Sequence, residues 1–402
     1  MALMPVAEAL RQVLAEAAPL PTETVALTEA LGRVLAADMT ATRTQPPADV
    51  SAMDGYAVRA ADVADAAAVL TVIGEVAAGH PFEGEVSTGH AARIFTGGVM
   101  PRGADTVVVQ ELAKRDGDKV TFSKPTTKGR NVRLKGIDFS EGQVLLHQGH
   151  RLRDRDLMLA AAMNYPSLPV HRRPRIAIIG TGDELVMPGS TPGPGEIVYS
   201  NGYALTALAY AEGAQSRDFG IVRDRMEDIV AALREARAWG ADVLITTGGA
   251  SVGEHDLVQR ALKAEGLDLS FWRVALRPGK PMMHGRLGGL QVLGLPGNPV
   301  SSYVCAFLFL APLIRRLTGR SAIAHEPERA FLGRDLPEND ERADYMRAVL
   351  TKGPDGPIAT PVPSQDSSLM APLAAADCLV IREPYAPFAP AGSPCVILKL
   401  GL

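Results

Sequence analysis

Between residues 173 and 319 the chain repeats one pattern: a short apolar run ending at or near glycine, then a helical stretch. The runs are "RIAIIG", "RDFGIV", "DVLITTGG" and "LQVLGLPG"; the stretches include "NGYALTALAYAEG" and "MEDIVAALREARAWG". Strands this apolar need cover on both faces, and the intervening helices supply it. Buried strands alternating with helices predict an open parallel sheet. Ligands of such sheets gather beyond the carboxyl ends of the strands. The segments that follow each run are therefore where chemistry is expected.

The other segments differ in kind. Residues 1–48 read as an amphipathic helix with Val6, Leu10, Val13 and Leu14 on one face, then an extended stretch broken by Pro46 and Pro47. Residues 49–141 are glycine-rich with short β-like runs, and "AKRDGDKVTF" carries a hairpin turn signal. Residues 142–172 turn helical again and are expected to rejoin 1–48, which makes 49–141 an insertion. An α/β domain is expected over 173–327 and a small β domain over 328–402. A length of 402 residues demands several cores in any case.

The net charge of -4 argues against nucleic acid or an anionic membrane as the main partner. Cys305, Cys378 and Cys395 are odd in number and widely spaced, which fits a reducing cytosol better than a disulfide framework or a zinc site. The N-terminus has no basic region and does not read as a signal peptide. "YVCAFLFLAPLI" is about half as long as a membrane span and reads as a buried helix.

Four loops follow the four runs. They supply Thr181, Asp183 and Glu184; then Asp224 between two arginines; then "TGGASVGEHD"; then "PGNPVSS". The third has the G-x-x-x-x-G spacing of a P-loop, but Glu254 and His255 replace its Lys and Ser/Thr, which argues against a P-loop NTPase. "GTGDEL" lacks the dinucleotide fingerprint. A division of labour remains. Backbone N–H groups of Gly248, Gly249 and Ser251 suit phosphate oxygens, as does the helix start near Ser301. Carboxylates repel phosphate unless Mg²⁺ lies between them. The plainer reading is tight turns with acidic helix caps.

Arg273, Arg277 and Lys280 lie together in "FWRVALRPGKPMMHG". Arginine forks match tetrahedral oxyanions, and solvated surface charge is the alternative. His255 and His284 read as packing or surface residues, because no histidine pair has zinc spacing. Asp54 in "SAMDGYAVRA" and Thr96 in "RIFTGGVMPRGAD" mark turns that either stay structural or reach a site on another subunit.

Together "SAMDGYAV", "RIFTGGVMPRGADTVV", "GTGDEL", "TTGGASVGEHD", "LRPGKP" and "LPGNPVSS" resemble the MoeA family of molybdopterin molybdenumtransferases, to which the E domain of gephyrin is also similar. The motifs run in order over nearly the whole chain. The resemblance implies a multidomain α/β homodimer: a helical linker domain, a β-rich insertion, a MogA-like molybdopterin-binding α/β domain with a parallel sheet, and a C-terminal β-barrel. The active site would lie between the α/β domain of one subunit and the insertion of the other. A cytoplasmic enzyme is implied that takes adenylylated molybdopterin and molybdate, inserts molybdenum at the dithiolene, and releases AMP with Mg²⁺. Transient contact with the molybdopterin adenylyltransferase and with cofactor-receiving enzymes is implied too.

Carried onto this sequence, the resemblance makes Asp54, Thr96, Glu184, Asp224 and Asp256 catalytic, the last three around the metal. Gly248, Gly249, Ser251, Gly253, Lys280, Pro296, Gly297, Asn298 and Ser301 would line the substrate. Arg273, Arg277, Arg347 and Ser367 would surround molybdate. Family members often have lysine where Arg273 and Arg277 stand, and Asp366 takes a position where glycine is expected. Two rival functions share these features: a CinA-like nucleotide pyrophosphatase and a non-catalytic, gephyrin-like scaffold. The first would release AMP without any pterin; the second would not need its active-site residues.

Overall fold

The computed structural model describes residues 3–248 and 257–401. The alternating segment forms one six-stranded sheet. Numbered along this segment, its strands are β1 (Arg175–Thr181), β2 (Gln215–Val222), β3 (Val243–Thr247), β4 (Asp268–Phe271), β5 (Met283–Leu287) and β6 (Leu290–Leu295). They lie in the order β2-β1-β3-β6-β5-β4. β2, β1, β3 and β6 are parallel, with Ile178 beside Ile245 and Ile245 beside Leu293. The expected parallel sheet is thus present, extended by antiparallel β5 and β4. Only Gly288 and Gly289 separate β5 from β6. A parallel crossover needs a dozen or more residues, so this link can only form a hairpin.

Four helices cover the sheet: α1 (Asn201–Ala211), α2 (Met226–Ala238), α3 (Leu257–Ala264) and α4 (Pro299–Leu317). Alternate side chains of a strand face opposite ways. Ala177, Ile179, Leu244 and Val292 accordingly pack with Ile229 and Leu233 of α2 and Val258 and Leu262 of α3. Ile176, Ile178, Val243, Ile245 and Leu293 face the other side, with Leu205 and Leu208 of α1 and most of α4. Among the described residues α4 alone is long and apolar enough to cross a membrane, but 83% of its most apolar window is buried inside the structure. It is a core helix, as its sequence suggests. A π-helical turn over Ala306–Leu310 precedes Pro312. The proline ring would clash with the carbonyl four residues back, and a widened turn relieves that clash.

A second six-stranded sheet lies in the glycine-rich region, in the order Thr106–Val109, Gly55–Val58, His90–Ile94, Val69–Val76, Lys119–Phe122, Ala113–Asp116. Its last two strands form the expected hairpin, with Asp116 opposite Lys119 and Gly117 at φ +59° in the turn. Leu35, Met39, Leu152, Met163 and Val170 share a separate core that joins the segments on either side of this region, with Phe139 added from the region's end.

Near the C-terminus, Glu328–Leu332, Ala343–Gly353, Gly356–Pro361, Cys378–Arg382 and Pro394–Lys399 close into a five-stranded barrel. Closure follows because Ala343–Gly353 pairs with both Gly356–Pro361 and Cys378–Arg382. No strand edge of the closed ring is left open. Ala343, Tyr345, Leu379 and Leu398 of this barrel, and Ala9 and Val13 of the helix Val6–Ala15, join the core beneath α4.

Candidate active site at the strand ends

Because β2, β1, β3 and β6 are parallel, their following loops emerge at one edge, and they touch there. Thr181 ends β1, is buried, and donates its hydroxyl to the Thr247 carbonyl at 3.4 Å. Gly248, after β3, has φ +89°, and a Cβ there would stand 2.4 Å from the Thr181 carbonyl oxygen. Only glycine tolerates both the conformation and the approach. A Cβ on Gly297, after β6, would meet the Gly248 Cα at 3.6 Å. The loop after β2 joins through the Asp224 N–H, which donates to Asp183 Oδ1 at 3.2 Å.

α1 is tied to the same edge. Asn201 donates from Nδ2 to the Gly297 carbonyl at 2.8 Å. Tyr199 braces this helix start: its ring fills the space that a Cβ on Gly180 or Gly202 would take, and its hydroxyl donates to Asp218 at 3.1 Å. Neither Asn201 nor Tyr199 was expected at the site. The available signal was the polar break "YSNG" ahead of a helical run.

The edge is acidic. Asp224 is exposed, yet its carboxyl sits above the ordinary aspartate pKa, through partial desolvation and then through the charges of Asp183 and Glu184. Among the described residues no three His, Cys, Asp or Glu side chains stand at metal-ligating spacing. Gly249, Ser251, Gly253, Glu254, His255 and Asp256 lie outside the described residues.

Basic groups approach from the segment between β4 and β5. Arg273 and Lys280 have no side-chain hydrogen bond or ion pair among the described residues. The segment doubles back, the Val274 N–H donating to the Lys280 carbonyl at 3.2 Å, and Gly279 lies against Cys305 of α4. The start of α4 carries Asn298 as its cap residue, Pro299 in its first turn and buried Ser301. Asn298 donates from Nδ2 to Ser367 Oγ at 2.9 Å.

Set against known proteins, residues 4–164 match "MoeA N-terminal region (domain I and II)", 177–316 match "Probable molybdopterin binding domain", and 329–400 match "MoeA C-terminal region (domain IV)". A molybdopterin molybdenumtransferase of Haemophilus influenzae is 34% identical over 378 residues, covering 93% of each chain. One of Bacillus subtilis is 35% identical, covering 94% of this chain and 90% of its own. The crystal structure of a MoeA protein from Pyrococcus horikoshii superposes with a TM-score of 0.85 at 30% identity, covering 99% of this chain and 100% of its own. The chain belongs to the MoeA family of molybdopterin molybdenumtransferases.

As a member of that family it distributes its expected site residues unevenly. The loops bearing Glu184, Asp224, Gly248, Pro296, Gly297 and Asn298 converge at the strand ends. Asp54 and Thr96 meet each other instead. Asp54 Oδ1 accepts the Thr96 N–H at 2.7 Å and its hydroxyl at 2.8 Å, and these bonds hold the Asp54 carboxyl below its usual range.

Two of the four residues expected around molybdate have their donors engaged elsewhere. Arg277 donates to Asp344 at 2.8 Å, Asn339 at 2.8 Å and Asp340 at 3.1 Å, which fastens its segment to the barrel. Arg347 is buried, and its guanidinium serves the carbonyls of residues 364–369. Of the five N–H donors of a guanidinium, these contacts take three from Arg277 and, with Gln365 Oε1, four from Arg347. His284 is a core residue, bonded to Gln291 at 2.9 Å and tilted over Phe271.

Proposed function

We propose that this chain is a transferase of molybdenum cofactor biosynthesis that inserts molybdenum from molybdate into adenylylated molybdopterin and releases AMP. The observation that carries this reading is the meeting of glycine loops and carboxylates at one strand edge. The glycines let substrate approach the backbone, and the α4 start turns its dipole and the Ser301 N–H toward phosphate, Pro299 having no N–H and the Val300 N–H being held by the Ser367 carbonyl. The family match supports the reaction class.

Mg²⁺ fits the donor chemistry, because Glu184 and Asp224 offer hard oxygens whose mutual repulsion a cation relieves. Asp256 completes the proposed ligand set. When bound, the ion supplies charge neutralisation for a phosphoanhydride. Arg273 and Lys280, unpaired among the described residues, hold molybdate with Ser367. Asp54 and Thr96 act on the partner subunit's strand edge, which makes the working unit a homodimer. Three unpaired cysteines, two of them buried, suit the cytoplasm.

Purified protein given adenylylated molybdopterin, Mg²⁺ and molybdate should release AMP and form the cofactor together. AMP release from substrates lacking the pterin would transfer the case to a nucleotide pyrophosphatase. A tungstate arm measures the choice of oxyanion. Arg273→Ala should raise the molybdate concentration needed for half-maximal AMP release, and an unchanged dependence removes Arg273 from the pocket. The shared site is tested by mixing: inactive Asp54→Ala and Asp224→Asn proteins, unfolded and refolded together, should regain activity through mixed dimers. Absence of any recovery would place each site within one subunit.

A further inference from the structure

Arg347 is among the largest fully enclosed side chains of the protein. Its guanidinium donates to the carbonyls of Leu369 at 2.9 Å, Asp366 at 3.0 Å and Ser364 at 3.4 Å, and to Gln365 Oε1 at 3.3 Å. Gln365 answers with both ends of its amide. Oε1 accepts the Arg347 N–H at 3.0 Å, while Nε2 donates to the carbonyls of Arg347 at 3.0 Å and Val362 at 3.1 Å. One side chain thus completes the backbone of the barrel strand as a neighbouring strand would, and residues 364–369 wrap the guanidinium.

The wrapped loop delivers Ser367 to the strand edge. The Ser367 carbonyl accepts the Val300 N–H at 3.1 Å in the first turn of α4, and its hydroxyl accepts the Asn298 amide at 2.9 Å. The next glycine back, Gly297, is the one held by Asn201. Asp366 is turned aside: its Oδ1 accepts the Ser368 N–H at 2.8 Å and hydroxyl at 2.7 Å. That placement directs the extra negative charge at this position onto Ser368 and not onto the Ser367 hydroxyl.

We propose that Gln365 is a positioning residue of the transferase site, acting with Arg347 as a clamp that seats Ser367 against α4. It touches no substrate. Without it the buried N–H of Arg347 loses its acceptor, while the Arg347 carbonyl keeps only the Val362 N–H at 2.9 Å, and an unpaired buried group favours rearrangement of the loop. A hydroxyl that binds an oxyanion must be held to within a fraction of an ångström. The inference rests on the reading that Ser367 meets molybdate.

Three variants of the full-length protein test it: Gln365→Leu, Gln365→Glu and Ser367→Ala. AMP release is measured against molybdate concentration, and amide exchange is followed for the peptide containing Val300. Gln365→Leu should raise the half-saturating molybdate about tenfold, the scale of removing an outer-shell partner, with a smaller change at saturation. It should also speed exchange at Val300. Gln365→Glu keeps the acceptor for Arg347 but loses both donations, so it should fall between Gln365→Leu and the parent. It carries the same comparison if Gln365→Leu does not fold.

Unchanged exchange at Val300 in both Gln365 variants overturns the clamp. Faster exchange with an unchanged molybdate dependence, while Ser367→Ala shifts that dependence, overturns the positioning role alone. If Ser367→Ala also leaves the dependence unchanged, the reading of Ser367 fails and the inference falls with it.

Discussion

Replacing Asp224 by asparagine is expected to make the metal-free protein more resistant to heat while slowing AMP release by on the order of 10²–10³, the usual scale for one preorganised electrostatic partner. The two effects have one cause. Asp224 shares its space with Asp183 and Glu184, and its carboxyl is raised above the ordinary pKa by partial desolvation and by those charges. A group with a raised folded-state pKa binds its proton more readily when folded. Stability from that proton is fully present below the unfolded-state pKa and is lost as pH rises through the folded one. At neutral pH the carboxylate therefore opposes folding, and asparagine removes the opposition. The advantage of the variant should shrink as pH falls through the carboxylate range. Mg²⁺ should stabilise the parent and do less for the variant. Melting curves at pH 7 and pH 4, with and without Mg²⁺, read the first part, and AMP release reads the second. Full AMP release from Asp224→Asn would remove this carboxylate from the chemistry.

Gly248→Val should damage both fold and function. A side chain at φ +89° costs about 1–3 kcal/mol in backbone strain. A Cβ 2.4 Å from the Thr181 carbonyl must also push β1 and β3 apart, and overpacking of this kind costs about 1–3 kcal/mol more. Gly297→Ala is the matched control. Its Cβ would find only ordinary contact, the Gly248 Cα at 3.6 Å. The valine should lower the denaturation midpoint clearly, the alanine little. Equal midpoints would mean that the two loops separate freely and that the close approach is not a constraint.

Much of the strand edge was legible before the structure. Apolar runs ending at glycine followed by helical periodicity dictate a parallel sheet, and parallel strands force their following loops together. Thr181, Asp183, Asp224, Gly248 and Gly297 are there for that reason. Direction was not legible. Arg273, Arg277 and Arg347 are equally cationic in a sequence, but Arg277 reaches Asp340 and Asp344, and Arg347 reaches loop carbonyls. Their acceptors lie far away along the chain, and no local pattern encodes a contact across such separations. Asn201 and Gln365 were invisible for a related reason. A lone amide carries neither charge nor period, and its role exists only through the backbone groups it happens to meet. Strands β4 and β5 were not legible because "DLSF" and "MHGRL" are short runs of mixed polarity, in which neither a period of two nor an unbroken apolar run stands out.

Side chains that share one apolar interior tend to come apart together. The layer beneath α4 draws on the strands of the sheet, on the helix Val6–Ala15 and on the barrel through Tyr345, Leu379 and Leu398. The barrel is therefore no removable lid over the strand edge. Cutting the chain before Glu328 would bare an oily face as well as deleting Ser367, so a truncated protein would report on its exposed interior before it reported on catalysis. The clamp inherits its rigidity from that shared interior, and agents that loosen it, such as heat or urea, should erase the response to molybdate together with the sheet.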